Sequence, residues 1–150
     1  MTLVRRLRFR DGGEIAIEFA LIGPLLLLLI MVLTDLAMAG RLSTQLSNGA
    51  RVGAQYALSN SQNGSGIEAA VRSAGIEASV LSSPSFGVST RRFCECDGGV
   101  GVACNETCVS GEPSRMFVEV IADAVYAPLF PYPIIPAELP LSGSAVLQVR

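Results

Sequence analysis

The fold is decided by the stretch GEIAIEFALIGPLLLLLIMVLTD, residues 13–35. Within it, the fifteen residues from Phe19 to Leu33 have no charged or hydrogen-bonding side chain. As a helix that rises about 1.5 Å per residue, the stretch spans roughly 30 Å, which is the thickness of the hydrocarbon core of a bilayer. The sequence therefore predicts one membrane-spanning helix. Two residues are unusual in such a helix. Glu18 places a carboxylate at its N-terminal end. Pro24 removes a backbone hydrogen-bond donor, which predicts that the helix bends or loosens near this residue.

Charge is distributed unevenly on the two sides of this stretch. Residues 1–13 contain four arginines and one aspartate, a sum of +3, whereas residues 14–150 contain seven arginines and twelve acids, a sum of −5. Because cations hold the near end of a membrane segment in the cytoplasm, we expect the N-terminus inside and the body outside. The acidic body also argues against binding to nucleic acid, whose phosphates require clustered cations.

Most catalytic chemistry is excluded by composition. The chain contains neither histidine nor lysine, which removes nucleophiles activated by histidine, imidazole metal ligands and Schiff-base chemistry. It also lacks the G-x-S-x-G motif and a glycine-rich phosphate loop. An enzyme would have to use Glu or Asp chemistry that we do not locate. We therefore expect a protein that is not an enzyme and has no cofactor.

Helical periodicity continues beyond the apolar stretch. Small and apolar residues recur on one face as far as Ala57, which predicts that the first helix runs on, half buried, to about that residue. The face comprises Leu36, Leu42, Leu46, Ala50, Gly53 and Ala57. Polar turn-forming residues at 59–66 then predict a linker. A stripe that starts at Ile67 and includes Val71 predicts a short second helix, which Gly75 weakens.

The C-terminal half changes to the alternation of strands. Residues 116–127, MFVEVIADAVYA, give the clearest strand signal, with Val118, Val120 and Ala122 on one face. Residues 139–150 alternate in the same way, and the connection between the two segments contains four prolines. We expect these two strands to pair in antiparallel fashion, with residues 86–94 as a third strand.

Four cysteines lie within fifteen residues, CECDGGVGVACNETC. They are Cys94, Cys96, Cys104 and Cys108. A zinc site is one reading, but the spacings are not those of C-x2-C knuckles and the expected location is oxidising, so two disulfides are favoured. On a strand, Cys94 and Cys96 would have Cα atoms about 6.6 Å apart, the outer limit for bridging. Each is therefore expected to pair with Cys104 or Cys108, as a structural staple at an exposed tip.

Together these patterns predict an α+β fold. A long N-terminal transmembrane helix continues into a small exported domain, which contains a short helix, a small antiparallel β-sheet and a disulfide-stapled loop.

A processing motif stands at the membrane edge. Gly12 and Gly13 form a small-residue break between the cytosolic arginines and the apolar stretch, and Glu18 and Phe19 follow after four residues. A glycine just before a cut lets the backbone approach a protease without an intervening side chain. The segment GEIAIEF resembles the type IV prepilin family, whose leader ends in glycine. The longer stretch through NGARVGAQYA, residues 48–57, resembles the TadE-like pseudopilins of the tight-adherence (Tad/Flp) pilus system.

The resemblance implies roles for particular residues. A prepilin peptidase would cleave between Gly13 and Glu14, and Glu18 with Phe19 would set the register of helix packing during assembly. Cleavage creates an α-ammonium group at Glu14, four residues before Glu18, and in the resembling pilins this glutamate meets the amino terminus of a neighbouring subunit. The implied segments are a leader at 1–13, the TadE-like helix at 14–58, a linker at 59–66 and an exported α+β domain at 67–150.

The same resemblance implies a location and partners. The protein would be a single-pass protein of the bacterial inner membrane, with a cytoplasmic N-terminus and a periplasmic C-terminal domain. Its partners would be the prepilin peptidase, other Tad/Flp assembly proteins, pilins and the membrane, without nucleic acid, metal or cofactor. Its function would be that of a minor pseudopilin in pilus assembly.

Two other readings of the N-terminus stay open on sequence grounds. An ordinary single-span anchor could hold Glu18 at the headgroups by snorkelling. Alternatively, Ala37-Met38-Ala39 is an A-x-A site, so that residues 1–39 could form a signal peptide released after Ala39. Either reading would make the body an envelope binding protein unrelated to pili.

Overall fold

The computed structural model describes residues 12–132 and 136–149, with side chains from residue 16 onward. Its elements are α1 (Gly12–Asn60), α2 (Gly64–Arg72), α3 (Ala78–Leu81), β1 (Gly87–Cys96), β2 (Val100–Val102), β3 (Arg115–Tyr126) and β4 (Leu139–Val149). The chain divides into two compact units, Met1–Ala37 and Met38–Arg150. The predicted fold class is confirmed: a long apolar helix precedes small helices and a four-stranded antiparallel sheet with two disulfides.

The first unit consists, in its described part, of the N-terminal portion of α1. Its apolar side chains are exposed from Ile17 to Leu33, except for the half-buried Met31, and α1 is long and apolar enough to cross a membrane. Helical structure is continuous through Pro24. Thr34, which follows the apolar stretch, donates its hydroxyl to the carbonyl of Ile30 at 2.8 Å, so this polar group is satisfied within the helix. Asp35 is buried and engaged in a polar interaction within the chain.

The second unit is built on a sheet with strand order β2-β1-β3-β4, in which all neighbours are antiparallel. β3 occupies an inner position and pairs along its full length with β4, from Met116 opposite Val149 to Tyr126 opposite Leu139. Its even-numbered residues from Val118 to Ala124 are buried, as alternation predicts. The expected pairing of the last two strands across the proline-rich connection is confirmed.

One face of this sheet is covered by the C-terminal portion of α1. Leu42, Leu46, Ala54 and Ala57 of the helix share a core cluster with β3 and β4 residues. Leu46, Val118 and Val120 are fully buried. Burial of each such aliphatic side chain stabilises the folded state by about 1.5–3 kcal/mol relative to an exposed one. The predicted helical stripe is confirmed from Leu42 onward, whereas Leu36 is 67% exposed and does not belong to it.

Glycines in α1 allow α2 to approach closely. A Cβ built on Gly53 would lie 2.6 Å from Cγ2 of Val71 and 3.3 Å from Cγ2 of Ile67. A Cβ on Gly49 would lie 3.0 Å from Cδ1 of Ile76. Side chains of α2 and of the segment after it therefore fill the space that these two glycines leave open. Larger residues at these positions would push the two helices apart.

The second helix starts three residues earlier than its apolar stripe predicts. Asn63 accepts a hydrogen bond from the backbone nitrogen of Gly66 at 3.0 Å, which satisfies a donor at the start of α2. The polar segment predicted as a linker at 59–66 thus supplies a cap and the first helical turn. At the other end, Gly75 has a φ of 82°, and helical structure resumes only in α3. The helix itself ends at Arg72, with Ser73 as its cap, and Gly75 allows the chain to turn before α3.

The sheet contains one strand that the sequence pattern did not predict. β2 pairs Val100 with Cys96 and Val102 with Cys94 of β1. It has three residues, with two glycines directly before it and one at its centre, and three residues are too few for alternation to be recognised. The third predicted strand is confirmed and extends to Cys96, which brings two cysteines into the ladder.

Candidate functional site

The proposed processing position lies at the beginning of α1. The helix starts at Gly12, so Gly13 is its second residue; the side chains of residues 12–15 lie outside the described part. Two successive glycines weaken helix formation by about 1 kcal/mol each relative to alanine. Because glycine has a low helix propensity, this first turn can unwind at low cost. The backbone is thus compatible with cleavage after Gly13 while the helix beyond it stays intact.

Glu18 is exposed one helical turn after Glu14. Within residues 12–132 and 136–149 it makes no hydrogen bond or ion pair. At ~1.5 Å per residue, its Cα lies about 6 Å along the axis from that of Glu14. A new amino terminus at Glu14 would have the opposite charge and lie on the same side. The glutamate would then also be close to the positive end of the helix dipole, which favours a carboxylate there.

Phe19 projects from the same region with 73% of its surface exposed. Its side chain lies over the next turn, where a Cβ built on Gly23 would be 3.9 Å from Cε1 of Phe19. Pro24 follows and cannot donate to the carbonyl of Ala20. An exposed aromatic ring, a small residue and a freed carbonyl therefore occur together on this segment of α1.

The four cysteines form two disulfides, Cys94–Cys104 and Cys96–Cys108. Their Cα atoms are 5.1 and 5.6 Å apart, within the ordinary range. The sequence had left the pairing open between two alternatives, and the zinc reading is wrong because all four thiols are oxidised. Among the described residues no group of acidic or cysteine side chains could hold a metal.

The segment NGARVGAQYA divides its residues between two faces of α1. Gly49, Ala50, Gly53 and Ala54 are buried, whereas Asn48, Arg51 and Gln55 are exposed. The small residues serve packing against α2 and the sheet. The polar residues are therefore available for contacts outside the chain.

The comparison with protein families concerns this helix. The family model described as TadE-like protein matches residues 13–55. Over these residues the chain is TadE-like. No curated protein and no solved structure matches it. The match begins at Gly13 and ends within the part of α1 that covers the sheet.

The TadE-like segment thus joins both units. It contains Gly13, Glu14, Glu18 and Phe19 at one end and the buried Gly49 and Gly53 at the other. The match points to the Tad pilus system and to association with its components and with a membrane, and TadE-like proteins are not an enzyme family. The helix is consistent with a single-pass membrane anchor.

Sequence reasoning missed one packing residue. Gly143 in β4 is buried and lies against α1, where a Cβ would be 2.6 Å from Cα of Ser47. The available signal was a glycine inside an otherwise alternating strand, which often marks a close backbone approach. It gave no indication of which element approaches.

Proposed function

We propose that this protein is a minor pseudopilin that takes part in assembling a Tad/Flp adhesion pilus, after a prepilin peptidase cleaves it between Gly13 and Glu14. The observation that carries the proposal is the position of the motif. It lies at the start of one continuous helix, and Glu18 within it is exposed and unpaired among the described residues. A carboxylate in hydrocarbon costs a few kcal/mol unless something compensates it.

Cleavage supplies the compensation. Before cleavage, residue 14 has a neutral backbone amide; afterwards it has an α-ammonium group about one helical turn from Glu18. A neighbouring subunit offers the same group at the same depth. Lateral packing of helices then pairs opposite charges only when the helices are in register. Glu18 acts in assembly, and Phe19 beside it packs against the adjoining helix.

The topology follows from the same arrangement. The arginine-rich residues 1–13 remain in the cytoplasm, where the peptidase acts, and the disulfide-bonded domain is in the periplasm. The protein is a single-pass protein of the bacterial inner membrane. Its partners are the peptidase, pilins and other Tad/Flp assembly proteins, and it is a substrate of a protease, not an enzyme.

The intact mass of the protein purified from envelopes of its own cells tests the proposal. We expect a chain that begins at Glu14. A chain that begins at Met1 would contradict processing and favour an ordinary anchor, and one that begins at Gly40 would favour a signal peptide.

Two matched variants show which glycine matters. Gly13→Leu should retain residues 1–13, because a side chain now stands next to the cut bond. Gly12→Leu, with the same change one residue earlier, should still be processed. Normal pilus formation by uncleaved Gly13→Leu would contradict the proposed role.

A further inference from the structure

The outer edge of β4 pairs with no other strand in the described part of the chain. β4 is an edge strand of eleven residues, LPLSGSAVLQV, without a charged side chain. Its pairing with β3 is continuous, so no bulge twists it away from a partner. Natural proteins usually guard such edges with charges, prolines, bulges or coverage, and of these β4 has one proline, Pro140, at its second residue. At the opposite side of the sheet, the edge is formed by three-residue β2 and by the part of β1 that contains Arg91 and Arg92.

Pro140 indicates which backbone groups of β4 face outward. Proline has no N–H, and within a strand it is tolerated where its nitrogen points away from the neighbouring strand. Backbone direction alternates along a strand. On that ground, the nitrogens of Ser142, Ser144, Val146 and Gln148 point to the open edge. Each is a donor for an added strand.

A groove runs beside this edge, between β4 and α1. It has a volume of about 400 Å³ and is lined by Arg51 and Gln55 of the helix and by residues 144–147 of the strand. At its rim, the exposed Arg51 makes no ion pair or hydrogen bond within the described part of the chain. An open edge, a groove for side chains and a cation together form the arrangement by which proteins bind an extended peptide as an additional strand.

We propose that this groove binds an extended segment of a partner protein, which adds a strand to β4 and places a carboxylate against Arg51. Apolar residues on either side of that acid would fill the groove. A second copy of β4 fits less well, because it has no carboxylate and would leave Arg51 without an opposite charge. The proposal gives a role to an exposed residue of the TadE-like segment and does not depend on processing at Gly13.

Three labelled peptides test the charge preference. They are blocked heptapeptides, TVTETVT, TVTQTVT and TVTKTVT, whose binding to the full chain in detergent micelles is measured by fluorescence anisotropy. We expect the Glu peptide to bind about three- to tenfold more tightly than the Lys peptide, as for an exposed ion pair. Arg51→Glu should reverse the order. Arg41→Glu, an exposed arginine of the same helix outside the groove, should leave it unchanged.

Backbone pairing is tested without altering the protein. In a bound strand only alternate N–H groups face β4, so N-methylation of one alternate set of peptide nitrogens should abolish binding, and methylation of the other set should not. Ser144→Pro should also abolish binding, with Ser144→Ala as its control. Equal affinity for the Glu and Lys peptides, or binding that tolerates both methylated sets, would overturn the proposal.

If a second copy of β4 occupied the edge instead, a disulfide crosslink would reveal it. Two copies of β4 that pair about Ser144 would bring the two Ser144 Cα atoms about 4.5–5.5 Å apart. Oxidation of Ser144→Cys would then give a crosslinked dimer that excludes the peptides, and this result would also contradict the proposal. Absence of that dimer, together with the charge reversal at Arg51, supports it.

Discussion

Gly143 of β4 lies against the backbone of α1, where a Cβ on the glycine would be only 2.6 Å from Cα of Ser47. Real Cβ atoms do not approach so closely, so any side chain at residue 143 would separate the strand from the helix. The contact brings β4 beneath the helix residues that define the groove. One hydrogen atom in place of a side chain thus sets the spacing between α1 and the edge of the sheet.

Gly143→Val should therefore destabilise the domain that contains the sheet. We expect a loss of about 1–3 kcal/mol or more, since backbone has to move to relieve the overlap. Ser142→Val, the same new side chain at the adjacent exposed position, should change stability by no more than about 0.5 kcal/mol. Denaturant unfolding of the full chain in micelles measures both. Equal stability of the two variants would contradict the close contact.

Gly53→Leu tests the approach of α1 and α2. A side chain there would meet Val71 and Ile67, and overpacking of this kind costs about 1–3 kcal/mol. Val52→Leu, next to it on the exposed side of α1, is the matched control and should be nearly neutral. Thermal unfolding distinguishes them, and an unchanged midpoint for Gly53→Leu would show that the helices are farther apart.

Loss of the N-terminal cap of α2 should destabilise the protein less than the two glycine substitutions do. Asn63→Ala removes the acceptor for the Gly66 nitrogen and should cost about 1 kcal/mol. Asn60→Ala is the control, because the exposed side chain of Asn60 donates a hydrogen bond to the neighbouring Ser59 and does not cap α2. We expect a protease to cut within residues 59–66 faster in Asn63→Ala than in the unchanged protein, and at the unchanged rate in Asn60→Ala. Equal cleavage of both variants would mean that the cap does not hold α2.

Disulfide connectivity can be read directly. A protease that cuts after acidic residues cleaves at Glu95, Asp97 and Glu106, which separates all four cysteines onto different peptides. We expect nonreduced digests to contain the pairs Cys94–Cys104 and Cys96–Cys108, and no crossed pairs. Removing either bridge by a double serine substitution should cost about 2–4 kcal/mol.

The proposed role of Glu18 in assembly can be tested by removing its charge. Glu18→Gln should leave cleavage after Gly13 unchanged but reduce copurification with pilins at least tenfold, because the amide cannot pair with an α-ammonium group where charge interactions are poorly screened. Ile17→Leu, an apolar change at the preceding residue, should assemble normally. Pili formed at normal levels by Glu18→Gln would contradict a role in register.

Local patterns predicted much of this protein. A run of apolar residues can only be satisfied as a helix in lipid, and alternation in residues 116–127 and 139–150 requires strands with one buried face. The motif from Gly13 to Phe19 was recognisable for the same reason, since its chemistry depends on neighbours along the chain. The early start of α2 was missed because the capping power of Asn63 depends on its backbone conformation.

What the sequence by itself determined was a helix long and apolar enough to cross a membrane, the α+β class of the chain and the position of the TadE-like segment, because spacing along one chain sets all three. Only the tertiary structure decided which cysteines pair, where Gly143 meets α1, and that Arg51 stands beside an open strand edge. These features join residues that are distant in sequence, and their contacts depend on strand register and helix packing, which local periodicity does not specify.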